Sequence, residues 1–144
     1  MNRIFKFRIW DKTEKVMRFL NDTHDTFMFD WDGSMCYYNL QNDSGGDEYE
    51  IMQSTGLFDK SGNEIYEGDV VHYVYKPGEG FWNQDCIGII KWEGTGFKIE
   101  PLSGKGGIHS WLVSVPGASE PSCRKLFEII GNIHENLELL EVQG

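Results

Sequence analysis

Apolar and polar residues alternate at the start of the chain. Between Ile4 and Trp10, the side chains of Phe7 and Ile9 fall on one side of an extended backbone and those of Lys6 and Arg8 on the other. A period of two predicts a strand with one buried and one solvated face. The polar residues that follow predict a turn, and the apolar residues after them a returning strand. We therefore expect the chain to open with a β-hairpin.

A second hairpin is predicted around Asp32-Gly33, a dipeptide that suits a tight turn between strands. Apolar segments at Phe27–Trp31 and Met35–Leu40 flank it. The segment from Asn42 to Asp47 is polar, contains Gly45-Gly46 and is the most linker-like part of the sequence. We place a domain boundary there, between residues 1–48 and 49–144.

Short strands separated by glycine-containing turns are predicted for the second domain. Gly131 is expected at a bend or bulge of the last strand, a glycine turn at Ser103–Gly107, and a short helix capped by Asn136 at the C-terminus. The predicted strands are Tyr49–Gln53, Val70–Tyr75, Ile87–Trp92, Phe97–Glu100, Ile108–Val113 and Leu126–Ile133. Because no amphipathic helix of three turns is visible, the pattern favours a mainly β protein with a small barrel or roll.

The most informative segment is Gly56–Val71, which reads G-L-F-D-K-S-G-N-E-I-Y-E-G-D-V-V. It contains two polar turns on either side of an apolar pair. The C-terminal segment F-E-I-I-G-N-I-H-E-N-L-E-L-L runs from Phe127 to Leu140, and R-I-W-D-K runs from Arg8 to Lys12. In these three segments the chain resembles the YopX family, small proteins encoded by bacteriophages and prophages.

The resemblance implies a fold, and it implies no chemistry. It implies an N-terminal β-rich (α+β) portion, a C-terminal SH3-like β-barrel with a short final helix, and a tendency to assemble. The family has no assigned activity and no established catalytic residues, so no functional position is transferred. One departure is Leu137, where the family often has proline after Asn136, and this affects only the helix cap.

Charge is distributed unevenly along the chain, whose net charge is −10. Residues 1–20 carry six basic and two acidic side chains, whereas residues 21–50 carry eight acidic and no basic ones. Opposite charges of this kind attract each other within a chain or between neighbouring copies. We predict a charged interface formed by Arg3, Lys6, Arg8, Asp22, Asp25, Asp30 and Asp32.

Candidate reactive residues are few in the sequence. The three cysteines, Cys36, Cys86 and Cys123, form no C-x-x-C pair and are expected to be partly buried free thiols. The acidic residues around His24 do not follow the spacing of a calcium loop and are expected to form a solvated acidic loop. A hydrolytic site built across subunits from His24 and its neighbouring carboxylates is the weakest hypothesis. We therefore expect no catalytic residues, no metal and no cofactor.

Two functional classes remain besides the hydrolytic hypothesis. The leading hypothesis is a cytoplasmic, phage- or prophage-derived protein that is not an enzyme and acts through self-assembly and binding of an unknown protein partner. The alternative is a nucleic-acid-binding accessory protein that uses a basic N-terminal hairpin and the barrel. Exposed rings near lysines would serve it, such as Trp92 near Lys91 and Lys98. The acidic net charge disfavours nucleic acid. No membrane-spanning segment is expected.

Overall fold

The computed structural model describes residues 6–19, 25–32, 34–39, 44–75, 84–93, 96–105 and 127–140. These residues are mainly β, with a sheet curled into a half-barrel and almost no helix. The strands are β1 (Phe7–Asp11), β2 (Val16–Phe19), β3 (Asp25–Phe29), β4 (Met35–Asn39), β5 (Ser44–Gly45), β6 (Tyr49–Phe58), β7 (Glu64–Tyr66), β8 (Asp69–Tyr75), β9 (Gln84–Glu93), β10 (Gly96–Lys105) and β11 (Phe127–Asn132). Short 3-10 turns cover Gly46–Glu48 and Leu137–Leu140.

The chain divides into two compact units. Unit 1 is Met1–Gln53 and unit 2 is Ser54–Gly144, so the division falls inside β6. This lies a few residues beyond the predicted boundary between residues 48 and 49. The predicted division into residues 1–48 and 49–144 stays a prediction.

The opening hairpin of unit 1 is confirmed. Strand β1 pairs antiparallel with β2 on one edge and with the first half of β6 on the other. The predicted solvated face is wrong at Arg8, which is only 4% exposed, whereas Lys6 just before β1 is exposed as predicted. In register, Arg8 lies between Phe19 of β2 and Met52 of β6, so apolar neighbours flank its aliphatic stem.

The hairpin predicted around Asp32-Gly33 is also confirmed, with β3 paired to β4. The backbone N–H of Asp30 donates to the carbonyl oxygen of Ser34 at 2.9 Å and closes the loop. One face of this hairpin packs rings against rings of the first sheet. The ring centroids of Phe7 and Phe27 are 4.8 Å apart, and those of Tyr37 and Tyr49 are 5.3 Å apart.

The predicted linker at Asn42–Asp47 is wrong from Ser44 onward. Ser44 and Gly45 pair with β4 as strand β5, and a 3-10 turn follows at Gly46–Glu48. Gly45 lies opposite Tyr38 in β5, and Gly46, with a φ of 87°, begins the 3-10 turn that leads into β6. Residues 40–43 lie outside the described part of the chain.

Unit 2 contains an antiparallel sheet in the order β10-β9-β8-β11. Its buried face carries a core of apolar side chains. The core consists of Ile65, Val71, Tyr73, Cys86, Ile90, Ile99 and Phe127, with Leu57, Phe97 and Ile129 packed against it. Alternation along β8 and β9 produces this face, since residues two apart in a strand point to the same side.

Two irregularities shape the sheet of unit 2. The register of β11 against β8 shifts between Ile129 and Gly131, which confirms the predicted bulge at Gly131. At Gly88 the neighbouring strand approaches closely: a Cβ there would lie 2.5 Å from Cγ2 of Ile99 and 2.8 Å from the carbonyl oxygen of Glu100. Glycine is therefore required at position 88 for β9 and β10 to pair as they do.

Several sequence-based boundaries need correction in unit 2. Strand β6 continues to Phe58 instead of ending at Gln53. The predicted turn beginning at Ser103 is wrong, because residues 103–105 continue β10 in register with residues 85–87. Where a short helix is predicted, the structure has a single 3-10 turn at Leu137–Leu140. The strand predicted at residues 108–113 lies outside the described residues.

Candidate functional site

Asp59 organises the turn at residues 59–63, which we call the first motif turn because it is the first turn of the segment Gly56–Val71. Its Oδ1 accepts hydrogen bonds from the backbone N–H groups of Ser61 at 3.0 Å and Asn63 at 2.8 Å. Its Oδ2 accepts one from the N–H of Ile129 at 3.2 Å. Burial raises the pKa of the Asp59 carboxyl, but the amides of Asn63, Ile129 and Ser61 outweigh it and hold the pKa below the ordinary value. Asp59 is thus an ionised structural anchor.

Two further polar residues of the motif segments, Asp69 and Asn132, also bind backbone groups. Asp69 accepts the N–H of Tyr66 at 2.8 Å across the Glu67-Gly68 turn. Asn132 accepts the N–H groups of His134 and Glu135, both at 2.9 Å. Such side-chain-to-backbone bonds fix turns. The segments that carry the family resemblance are therefore explained by architecture.

Asn136 does not cap the final turn as predicted. Its Oδ1 accepts a hydrogen bond from the backbone N–H of Asn132 at 3.1 Å, and its own N–H donates to the carbonyl oxygen of Asn132 at 3.1 Å. The reciprocal pair closes the turn that follows β11. The side-chain amide nitrogen of Asn136, Nδ2, also donates to Oε1 of Glu138 at 3.4 Å.

The candidate binding surface lies on the β3–β4 hairpin of unit 1. Met28 and Cys36 are cross-strand partners, and Tyr38 lies two residues further along β4, so the three share the face opposite the packed rings. All three are exposed, Met28 by 52%. Trp31 at the hairpin tip is 99% exposed. Large exposed apolar side chains grouped on one face mark interaction sites.

Two carboxylates stand beside Trp31 at this tip. Asp32 accepts the backbone N–H of Ser34 at 3.0 Å and its hydroxyl at 2.8 Å. These bonds hold the pKa of Asp32 below its ordinary value. The Ser34 hydroxyl also lies 3.3 Å from Oδ2 of Asp30. We call the set Met28, Asp30, Trp31, Asp32, Cys36 and Tyr38 the acidic face.

A second group of exposed residues lies at the turn between β1 and β2 and on β2 itself. It comprises Lys12, Lys15, Val16, Arg18 and Phe19, with Phe19 on the opposite face of β2 from Val16 and Arg18, and the exposed acids Glu14 and Glu48 lie near the lysines. Phe19 is 58% exposed. Arg18 donates to Oδ2 of Asp11 at 3.2 Å, while Oδ1 of Asp11 accepts the N–H groups of Thr13 and Glu14. Although burial raises the pKa of Asp11, these bonds lower it overall.

The residues of the predicted charged interface occupy different environments. Lys6 is exposed, Arg8 is buried, and Asp30 and Asp32 are exposed at the hairpin tip. Asp25 accepts the hydroxyl of Tyr37 at 2.6 Å and the amide of Asn39 at 3.1 Å. Arg3 and Asp22 lie outside the described residues. The interface itself stays a prediction.

The hydrogen bond from Tyr37 to Asp25 affects the acidity of the Tyr37 hydroxyl. Burial and the neighbouring carboxylate raise the pKa of the Tyr37 phenol to about 12. The hydroxyl therefore remains a donor throughout the physiological range. Together with Asn39 it satisfies Asp25 inside the hairpin, which leaves Asp30 and Asp32 as the carboxylates presented at the tip.

Candidate reactive groups are scattered. Cys36 is exposed, which corrects the prediction of partial burial, whereas Cys86 is buried and its thiol pKa is raised by burial and by Asp85. Nε2 of His72 lies 2.7 Å from Oδ1 of Asp85 on the outer side of β8 and β9. Within the described ranges no three His, Cys, Asp or Glu side chains converge on a metal position. No helix in the described part of the chain is long and apolar enough to span a membrane.

The rings and lysines considered for nucleic-acid binding are already engaged where described. Trp92 is half-exposed and packs edge-on against Phe97, with centroids 5.0 Å apart. Lys91 forms an ion pair with Glu100, and Lys98 lies 3.5 Å from Glu93. Because carboxylates sit beside both lysines, the positive charge that phosphate would need is offset.

A family model described as "YopX protein" matches residues 6–141 of this chain. The chain belongs to the YopX family. Among solved structures, protein EF1440 from Enterococcus faecalis is 31% identical, with a TM-score of 0.56, over 96% of this chain and 99% of that one. YopX from Bacillus subtilis is 18% identical, with a TM-score of 0.59, over 94% and 97% of the two chains, and shows the shared fold. No curated protein matches this YopX-family chain.

Sequence reasoning missed the apolar part of the acidic face. It identified Asp30 and Asp32 by charge, yet assigned the rings and Met28 to strand patterning alone. A signal was present, because Trp31 lies between two aspartates and two residues before the turn glycine Gly33, where a strand cannot bury it. The exposure of Met28 also follows from the period of two, because Met28 is next to Phe27 on β3 and therefore points to the opposite face once Phe27 is assigned to the core.

Proposed function

We propose that this YopX-family chain is a phage- or prophage-derived module that acts in the bacterial cytoplasm through self-assembly and partner binding, without enzymatic activity. The observation that supports the proposal is Trp31, 99% exposed at a hairpin tip beside exposed Met28. Tryptophan is the residue type most enriched in the energetic centres of protein interfaces. An unburied ring of this size is costly in water and gains most from a partner surface.

The finer fold assignment is part of the same proposal. We infer that the curled sheet belongs to an SH3-like barrel in unit 2, which ends in the 3-10 turn at Leu137–Leu140. In support, short antiparallel strands surround one apolar core, and a bulge in β11 bends the sheet.

Light scattering coupled to size-exclusion chromatography tests the function. We expect the full-length protein at micromolar concentration to show a mass that is a multiple of 16.6 kDa. A monomer across the accessible concentration range refutes self-assembly. Turnover of a substrate by the purified protein contradicts the non-enzymatic part of the proposal. Loss of that turnover on substitution of His72 shows that the activity belongs to this chain.

A further inference from the structure

We propose that the acidic face binds a basic segment of a partner protein, with an arginine of the partner stacked on Trp31 and hydrogen-bonded to Asp30 and Asp32. This inference rests on the partner-binding half of the proposed function and names the chemistry of the partner. It does not depend on whether the chain self-assembles. The surface is the face of the β3–β4 hairpin opposite the packed rings, and Trp31 stands at its tip.

The two carboxylates of the acidic face have no cation beside them in the described part of the chain. Asp32 accepts the backbone N–H of Ser34 at 3.0 Å and its hydroxyl at 2.8 Å, and the same hydroxyl lies 3.3 Å from Oδ2 of Asp30. These donors are neutral, so they leave the negative charge uncompensated. Residues 21–50 contain eight acidic residues and no lysine or arginine, so no cation stands close in sequence either.

The β9–β10 hairpin of unit 2 shows what a compensated surface looks like. It also carries an exposed tryptophan, Trp92, but its charges are matched within the chain. Lys91 forms an ion pair with Glu100, and Lys98 lies 3.5 Å from Glu93. The acidic face instead presents net negative charge around its tryptophan. Such a surface attracts a cation from another molecule and orients it.

Trp31 gives the surface a preference for arginine over lysine. Its side chain is 99% exposed, so a planar guanidinium can stack on the ring. Tryptophan is the best aromatic acceptor for a cation, and arginine is the cation that stacks most often. The fork of N–H donors on the guanidinium can also reach carboxylates on either side, here Asp30 and Asp32. A lysine ammonium has neither the flat surface nor the fork.

The apolar part of the acidic face predicts a second feature of the partner. Met28 is 52% exposed and lies two residues before Asp30 on the same side of the chain. Residues two apart in an extended strand are separated by about 7 Å, in this chain and in a bound segment alike. We therefore expect an apolar residue of the partner, two positions from the arginine, to cover Met28. Apolar contacts inside a charged rim are typical of specific protein interfaces.

Fluorescence anisotropy with designed peptides tests the inference on the full-length protein. The probe is a labelled peptide of about ten residues in which arginine and leucine stand two positions apart and the other residues are serine and glycine. Wild type is expected to bind it at least about tenfold more tightly than the same peptide with glutamate in place of arginine. Lysine in place of arginine, or serine in place of leucine, is expected to weaken binding several-fold.

Protein variants locate the binding surface. Trp31→Ser is expected to weaken binding of the arginine peptide at least about tenfold. Asp30→Asn combined with Asp32→Asn is expected to weaken it several-fold and to remove most of its salt dependence. Asparagine keeps an oxygen for the Ser34 hydrogen bonds, so the fold is expected to persist, as circular dichroism would verify. Glu93→Gln, the matched control, removes an exposed charge from unit 2 and is expected to leave the affinity unchanged.

The peptide series keeps the test decisive even if a protein variant misfolds, because it uses wild type throughout. The inference is overturned if the arginine peptide binds no better than the glutamate, lysine or leucine-free peptide. It is also overturned if folded Trp31→Ser or the double asparagine variant binds as tightly as Glu93→Gln.

Light scattering on the same samples separates this inference from the proposed self-assembly. A wild-type assembly that does not bind the arginine peptide refutes the partner chemistry assigned here and leaves self-assembly standing. A monomer that binds the peptide with the expected preferences refutes self-assembly and supports this inference.

Discussion

The backbone N–H of Ile129 donates a hydrogen bond to Oδ2 of Asp59, 70 residues earlier in the chain, at 3.2 Å. Next to it, the N–H of Lys60 donates to the carbonyl oxygen of Phe127 at 2.9 Å, and the Lys60 ammonium pairs with Glu128. The first motif turn is thus hydrogen-bonded to β11. Two of the segments that identify the family therefore contact each other in unit 2, and we call this contact the joint.

Asp59→Ala is expected to destabilise the protein by about 3 kcal/mol, because three backbone N–H groups lose a charged acceptor. Urea denaturation of the full-length protein measures the change in the free energy of unfolding. Asp32→Ala is a suitable control, since that carboxylate accepts hydrogen bonds at an exposed tip. A loss at Asp59 no greater than at Asp32 contradicts the role assigned to the joint.

Asp59 also makes stability depend on pH. Its pKa is lower in the folded protein than the ordinary value of about 3.9, so the folded state binds its proton less readily than the unfolded chain. The contribution is complete above about pH 5 and is lost as pH falls through the folded pKa. Asp59→Asn is expected to flatten this acid dependence, and Asp11 supplies part of the slope that remains. An unchanged slope would be inconsistent with the lowered pKa.

Gly88→Ala is expected to destabilise unit 2 by about 1–3 kcal/mol, because the new methyl group collides with Ile99 and with the backbone of Glu100. Thermal unfolding followed by circular dichroism reports the shift. Gly62→Ala is the comparison: its Cβ meets nothing within 4 Å, but its φ of +87° imposes a cost of about 1 kcal/mol. A smaller effect at Gly88 than at Gly62 argues against the close strand approach.

Tyr37→Phe is expected to cost about 1–2 kcal/mol, because Asp25 loses the hydroxyl that donates to it at 2.6 Å. The neighbouring Tyr38→Phe provides a matched control, since Tyr38 points to the exposed face of the same strand. Urea denaturation of the two variants is expected to separate them clearly. Equal midpoints would show that the Tyr37–Asp25 bond does not stabilise the hairpin.

Salt is expected to weaken self-assembly. The carboxylates of Asp30 and Asp32 and the ammonium groups of Lys12 and Lys15 are exposed, and a rise in ionic strength from about 0.1 to 1 M shortens the screening length from about 10 to 3 Å. Sedimentation velocity at a fixed protein concentration measures the change in mass. An assembly that strengthens with salt would show that apolar burial dominates and that the charges are incidental.

The strands of this chain were predictable where local signals are sufficient. The period of two near Ile9, the Asp32-Gly33 turn and the glycine at position 131 each identify a feature that the structure confirms. These signals act between near neighbours in sequence. The predicted strand boundaries were wrong where pairing with a neighbouring strand decides how far a strand extends. Residues 103–105, for example, extend β10 only because β9 lies beside them.

The burial of Arg8 could not be read in the same way, whereas the exposure of Trp31 was readable only from its place next to the turn at Gly33. Arginine is ordinarily exposed and tryptophan ordinarily buried, and neither expectation holds here. Arg8 lies on a central strand between Phe19 and Met52, whereas Trp31 lies in the loop beyond the last strand pair of its hairpin. Asp59 was visible as a turn residue, but its bond to Ile129 depends on chain segments far apart in sequence.

The most direct test of the account is the mass of Trp31→Ser relative to wild type in a light-scattering concentration series, with urea denaturation of both proteins. The account predicts equal unfolding midpoints, because Trp31 is 99% exposed, together with an assembly at least about tenfold weaker. An unchanged mass for a correctly folded Trp31→Ser protein would contradict the claim that the hairpin tip is the binding surface.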